Sequence, residues 1–216
     1  MRNAEKDERE MAQRREKMLE EGFRLFSERG IESVAMQDVA DACGLGIATL
    51  YRYFKTKLSL VLAIGTRQWE DYVKVIDAKR TENAVEKMTA AEELSFYLDF
   101  YIDLYHNHKD LLCFNQNFNI FVQHEGATQE QLAPYIAALG NIVGLFHMMY
   151  EKGKKDGTLR TDMSEDRMFA ATSHIMLAVA VRYAQGLIFH ADSEDMTREL
   201  LLVKQMILRE YVTENK

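Results

Sequence analysis

The chain has a single proline, Pro134, in 216 residues, along with two cysteines and one tryptophan. With only 11 glycines as well, it is too poor in turn-forming residues for a many-stranded sheet protein. Cys43 and Cys113 stand 70 positions apart with no ligand-spaced histidine near either, so neither a disulfide framework nor a zinc motif is expected. His106 and His108 flank Asn107, with Asp103 three residues before His106. A metal would need two further ligands, and no Glu-x-x-His pair of a di-iron bundle occurs, so the metal expectation is none. No phosphate-binding glycine loop and no serine or cysteine nucleophile setting occurs either, which argues against an enzyme and against a cofactor. The start, MRNAEKDERE, lacks the apolar core of a signal peptide, and no later stretch reaches about 18 uninterrupted apolar residues. The expectation is a cytoplasmic protein with no membrane partner.

What is present favours helices. Hydrophobic residues make up 47% of the chain, enough for a sizeable core, and Ala, Leu, Glu, Met and Lys abound. The net charge is −7, unevenly spread. Residues 1–60 hold 11 Lys and Arg against 11 Asp and Glu, so the remaining 16 against 23 carry all of the excess. An acidic whole with a neutral N-terminal part argues against indiscriminate nucleic-acid binding but not against a local, specific surface.

Periodicity and caps predict a helix from Glu5 to Arg29 with Met18, Leu19, Phe23 and Phe26 on one stripe, stopped by Gly30. A short helix follows with Val39, Ala40 and Cys43 inward, closed by Gly44, and a third covers about Ile47 to Phe54. Short helices joined by CGLG can meet steeply only through a small, permissive turn, the geometry of a helix-turn-helix. Thr56 reads as the N-cap of a long helix from Lys57 to about Lys79. Beyond it, helices are expected around Leu94, Leu98, Tyr101 and Tyr105, around Leu111, Phe114, Phe118 and Phe121, and over 132–152, 165–189 and Ser193 to Tyr211, with Ser193 as a cap. The fold expectation is all-α, with an N-terminal three-helix unit at 1–60 and a larger bundle at 61–216.

The stretch GLGIATLYRYFKTK mixes glycine, small apolar residues, hydroxyls, aromatics and cations. In a helix-turn-helix the second helix enters the major groove, so one side must be apolar and the other small, hydrogen-bonding or cationic. Leu45, Leu50 and Phe54 suit the inward side. Ile47, Ala48, Thr49, Tyr51, Arg52 and Tyr53 are left for the outward faces, where the hydroxyls and helix N-termini suit phosphate oxygens.

Residues 12–65, and above all TLYRYFKTK after VADACGL, resemble the DNA-binding domain of the tetracycline-repressor-like (TetR) family of transcriptional regulators. The resemblance implies phosphate contacts from Tyr51 and Lys57, a phosphate or base contact from Thr49, and base-edge contacts from Ile47 and Ala48, with Arg52 a further candidate. Gln37, Gly46 and Tyr53 complete the expected DNA-facing set. Two departures from the family pattern stand out: Ala35 where a Ser or Thr cap is usual, and Gly46 where Ser is usual. Ile47 stands where a basic residue is common, which shifts the expected readout toward thymine methyls.

The larger half is expected to bind a small-molecule effector among aromatics, for which Trp69, Tyr72, Tyr101, Phe118, Phe121, Phe146 and Tyr150 are the candidates, with Tyr97 beside them. Ordinary core packing accounts equally for aromatic stripes at helical spacing. The expected effector is an apolar or aromatic compound, and Glu92, Glu93 and Asp99 suggest that it is cationic. The Ala-rich segment EDRMFAATSHIMLAVAVRYAQGLIF has apolar residues all round, one face for its own bundle and one for a partner helix. DGTLRTD resembles the family's linker before the dimerisation helices. The expected function is a dimeric transcriptional regulator, a repressor released from a double-stranded DNA operator by an effector. The alternative is a dimeric helical interaction protein that has lost specific DNA binding, motivated by Gly46, Ile47 and the acidic balance.

Overall fold

The computed structural model describes residues 2–186 and 193–213. Among them the chain forms α1 (Arg2–Arg29), α2 (Met36–Cys43), α3 (Ile47–Tyr53), α4 (Lys57–Glu82), α5 (Ala90–Asn107), α6 (Lys109–His124), α7 (Gln129–Asp156), α8 (Glu165–Ala184) and α9 (Ser193–Tyr211), with a 3-10 turn at Val85–Lys87. The fold is all-α as expected. One isolated antiparallel bridge, between Leu159 and Val212, is the sole extended pairing among the described residues. Helix α8 closes at Ala184, ahead of Gly186 at φ 86°. The expected continuation over 187–189 and the capping side chain of Ser193 lie outside the described residues.

Two compact units emerge, and they do not follow the chain in order: residues 1–69 with 113–136, and 70–112 with 137–216. In the first, α1 buries Met18, Leu19, Leu25 and Phe26, α2 buries Val39, Ala40 and Cys43, and α4 buries Leu60, Val61 and Ile64. Gly22 makes the α1–α4 crossing close, since a Cβ there would lie 2.8 Å from Ile64 Cδ1. Residues of α6 complete the unit: Phe114 meets Phe23 edge to face at 5.5 Å, and Phe118 stacks on Tyr135 at 4.4 Å. Trp69 donates its indole N–H to the Tyr135 hydroxyl at 3.2 Å, and that hydroxyl donates to Asn115 Oδ1 at 3.2 Å.

In the second unit, α5 opens with a capping box: Glu92 N–H donates to the Thr89 hydroxyl and Thr89 N–H to the Glu92 carboxylate. Its first amides are further tied down by the DGTLRTD segment, since Ala90 N–H donates to Asp156 and Ala91 N–H to Thr158. Glu93, 2% exposed, is held between Arg80 at 2.9 Å and Lys152 at 2.5 Å. A buried carboxylate survives because two cations compensate its lost hydration.

Helix α7 is apolar over much of its length, and by length and composition alone it would suffice to cross a membrane. Its inward side chains nonetheless serve the packed interior: Tyr135 in the first unit, and Phe146, Met149 and Tyr150 in the second.

Candidate nucleic-acid interface

The interface begins with the way α2 starts. Ala35 has no side-chain acceptor to offer, and the helix is capped from the other direction. Ala35 N–H donates to Asp38 Oδ2 at 2.7 Å, which places a carboxylate in the first turn where the helix dipole favours it. At the far end Gly44 takes φ 68°, Gly44 N–H bonds Asp41 O and Leu45 N–H bonds Ala40 O, the paired bonds of a Schellman stop. Lys17 from α1 donates to Cys43 O at 2.9 Å, satisfying another terminal carbonyl. A left-handed residue costs an L side chain roughly 1–2 kcal/mol. Glycine therefore lets the chain turn abruptly into α3 without strain.

Helix α3 has two sides of different character. Leu50 is fully buried, and Phe54 beneath it packs under the Arg15 guanidinium at 5.5 Å. On the other side Ala48, Tyr51 and Arg52 are exposed, while Ile47, Thr49 and Tyr53 are half-buried. Tyr51 is 47% exposed, an aromatic ring left in water with no packing purpose. Gly46 precedes the helix in extended conformation and is exposed. Gln37, also exposed, donates to Asp41 at 2.7 Å along α2. Ile47, Ala48, Thr49, Tyr51, Arg52 and Tyr53 thus share one short helix, with Gly46 at its start and Gln37 on the helix before.

Lys57 is placed differently. Its ammonium lies 5.4 Å from the centre of the Phe121 ring and 6.0 Å from that of Phe26, and donates to Glu32 O at 3.4 Å. Burial pulls its pKa below the ordinary lysine value, with the nearby carboxylates of Glu32, Glu125 and Asp38 opposing. Two residues earlier, Lys55 is exposed. Sequence reasoning did not single out Lys55. The signal was there: a cation between a buried Phe54 and the cap of α4 has nowhere to point but outward. Thr56 does cap α4, its hydroxyl accepting from Ser59 N–H at 3.1 Å.

The residues expected to line an effector site divide between the units. Trp69, Phe118 and Phe121 belong to the first, and Tyr72, Tyr101, Phe146 and Tyr150 to the second; all are buried. In the second unit Tyr72 donates to Phe100 O at 2.7 Å and lies 3.3 Å from Asp103, so burial and that carboxylate drive its pKa far above the ordinary value. Tyr97 and Tyr101 hydroxyls lie 3.2 Å apart, and Tyr101 donates to Ser173 at 2.9 Å. Tyr97 and Phe169 both meet Phe146 edge to face, at 5.4 and 5.2 Å. Next to Ser173 the Thr172 hydroxyl is buried with no hydrogen-bond partner. Ser173 and Thr172 were not anticipated, because a hydroxyl in an Ala-rich helix reads as filler until its surroundings are known. The three carboxylates that suggested a cationic ligand are already engaged: Glu92 in the α5 cap, Glu93 with Arg80 and Lys152, and Asp99 with Lys204 at 2.6 Å.

Residues 18–64 match the family model of bacterial regulatory proteins, tetR family. Over 169 residues the chain is 27% identical to the HTH-type transcriptional regulator SAR2658 of Staphylococcus aureus (strain MRSA252), covering 78% of this chain and 80% of that one. A solved putative transcriptional regulator from Saccharomonospora viridis, in complex with choline, is similar at TM-score 0.70 and 20% identity over 94% of this chain and 100% of that one. The transcriptional regulator FadR from Bacillus subtilis, in complex with stearoyl-CoA, is similar at TM-score 0.67 and 14% identity over 89% and 96% of the two chains. At such identities the two structures establish the fold, and it is that of a helix-turn-helix domain joined to a helical C-terminal part.

Proposed function

We propose that the chain is a helix-turn-helix transcriptional regulator of the tetR type, to whose family model residues 18–64 are similar, and that it works as a homodimeric, effector-released repressor in the cytoplasm. The observation that carries the reading is the outward side of α3, where exposed Ala48, Tyr51 and Arg52 stand beside half-buried Ile47 and Thr49 while Leu50 and Phe54 hold the helix from beneath. A helix that is small and apolar at its start, and hydroxylated and cationic after it, fits a major groove flanked by phosphates. Residues 1–60 supply DNA contact in this reading, and 61–216 supply effector binding and dimerisation.

Support for a dimer comes from α8 and α9, whose solvent faces expose Ile175 and Leu201, Leu202 and Met206. Ala178, exposed among them, permits close approach of a partner helix. Support for an effector comes from the hydroxyl chain Tyr97–Tyr101–Ser173 and, next to Ser173, the unpaired Thr172 hydroxyl. A buried hydroxyl without a partner costs about 1–3 kcal/mol, which a ligand carbonyl or hydroxyl would recover. The favoured effector is therefore apolar with a neutral hydrogen-bonding group. It releases the operator only by binding the DNA-incompetent conformation better than the competent one. Selecting bound duplexes from a random pool with the full-length chain tests the reading. A recovered palindrome supports it; a chain that is dimeric yet enriches no sequence favours the helical interaction protein instead.

A further inference from the structure

Three side chains of types that can ligate a metal meet at the junction of α7 and α8, apart from everything the DNA reading uses. His147 and Glu151 are four residues apart on α7 and so share a face, and Glu165 is the first residue of α8. His147 Nδ1 lies 2.9 Å from Glu165 Oε2, and one ligand atom from each of the three residues falls within 4.8 Å of the other two. All three belong to the second unit.

Packing fixes their positions. Phe146, Met149 and Tyr150 in the same helix turns are buried, while His147 is left exposed. The Tyr150 hydroxyl donates to Met163 O at 2.5 Å and lies 3.4 Å from Thr161 O, so the connection leading to Glu165 is tied to the stretch of α7 that carries the other two. Gly153 lets that connection approach closely, since a Cβ there would stand 2.9 Å from Leu159 Cβ.

We propose that His147, Glu151 and Glu165 form a binding site for one divalent transition-metal cation of the Zn2+ or Co2+ class. Such an ion takes imidazole nitrogen and carboxylate oxygen at roughly 2.0–2.2 Å, which sets tetrahedral ligands about 3.4 Å apart. The His147–Glu165 pair is already near that separation, and rotation of the Glu151 side chain closes the rest. Two carboxylates balance the charge of the ion, and the imidazole favours transition metals over calcium or magnesium, whose ligands are oxygens. Water completes the shell on the solvent side, where His147 is exposed. One residue opposes binding: Lys154 donates to Glu151 Oε1 at 2.5 Å, and this hydrogen bond holds that carboxyl below its ordinary pKa. Removing this cation frees the ligand and lifts a like charge from beside the metal.

The test uses the full-length chain stripped with a chelator, then titrated with cobalt chloride and followed by visible absorption, with zinc chloride competing. One equivalent of cobalt per chain, displaced by zinc, is expected. His147→Ala and Glu165→Gln should each weaken uptake by at least about tenfold, the loss that even supporting residues of metal sites incur. Lys154→Ala should strengthen it, and His124→Ala, an exposed imidazole elsewhere, should leave it unchanged, with circular dichroism confirming that every variant is folded. A wild-type chain that takes up no cobalt, or equal affinity after His147→Ala and Glu165→Gln, overturns the assignment. Unchanged or weaker uptake by Lys154→Ala does so too, since it removes Glu151 from the site.

Discussion

The outward side of α3 and the interior of the second unit are both rich in aromatics and hydroxyls, yet they differ in what those residues say. On α3 the ring of Tyr51 stands in water. In the second unit Tyr72, Tyr97 and Tyr101 are buried, and each hydroxyl has a protein partner. An exposed ring beside a cation has no packing use, and on that ground the side of α3 that carries Tyr51 and Arg52 is the surface proposed for recognition. A buried ring serves packing and ligand binding alike, and only a misfit such as the unpaired Thr172 hydroxyl separates the two.

The contrast breaks most visibly in the interior. Replacing Glu93 by Ala leaves Arg80 and Lys152 facing each other with no carboxylate between them, and should cost about 3–5 kcal/mol in a denaturant titration. Operator affinity per folded molecule should stay as it was; a simultaneous, equal loss of specific DNA affinity would erase the distinction between the regions. Next in size, Leu50→Ala removes the buried anchor of α3 and should cost about 2–5 kcal/mol, with operator binding lost as α3 loses its seat. Thermal unfolding followed by circular dichroism measures the first effect and a mobility shift the second.

Acid sharpens the comparison further. Burial raises the Asp156 pKa, but hydrogen bonds from the Thr158 and Ala90 amides outweigh it and leave the carboxyl below its usual value; for Asp103, the bonds from Lys79 and Asn107 do the same against burial. A carboxyl with a depressed folded pKa stabilises above its unfolded value of about 3.9 and loses that contribution as the pH falls through the lower folded value. The second unit should therefore weaken below about pH 4, monitored by near-UV circular dichroism, where its tyrosines contribute. The smallest effect separates two lysines. Lys55→Ala should lower the salt dependence of DNA binding by about one counterion with little change in stability. Lys57→Ala, which loses its place over Phe26 and Phe121, should cost roughly 0.5–1 kcal/mol of stability. Reversed outcomes would make Lys57 the phosphate contact that the family resemblance implies.

Local signals made most of the helix boundaries legible. Gly30 and Gly44 stop α1 and α2 with positive φ and Thr56 caps α4, whereas the Thr89 cap of α5 was not anticipated. Each is a short-range effect of backbone stereochemistry or one hydrogen bond. What the sequence hid depends on distance along the chain. Lys57 meets Phe121 from α6, and residues 113–136 pack with the first 69, neither of which periodicity reveals. His147 and Glu151 could have been noticed as a helical pair, but Glu165 joins them only because Tyr150 pins the intervening turn. The residues proposed to face DNA could be named together from the sequence because one short helix, α3, holds nearly all of them.

The central claim is that the outward residues of α3 read bases, one helix in each half of a two-fold site. Repeating the random-pool selection with Ile47→Ala tests it most directly, because Ile47 is the first helical residue and half-exposed, so its loss leaves the fold intact. The account predicts that wild type recovers a palindrome whose half-sites lie about one helical turn, or a multiple of it, apart. It further predicts that the variant changes preference at one position in each half, symmetrically. Recovery of an identical motif by both proteins would contradict it.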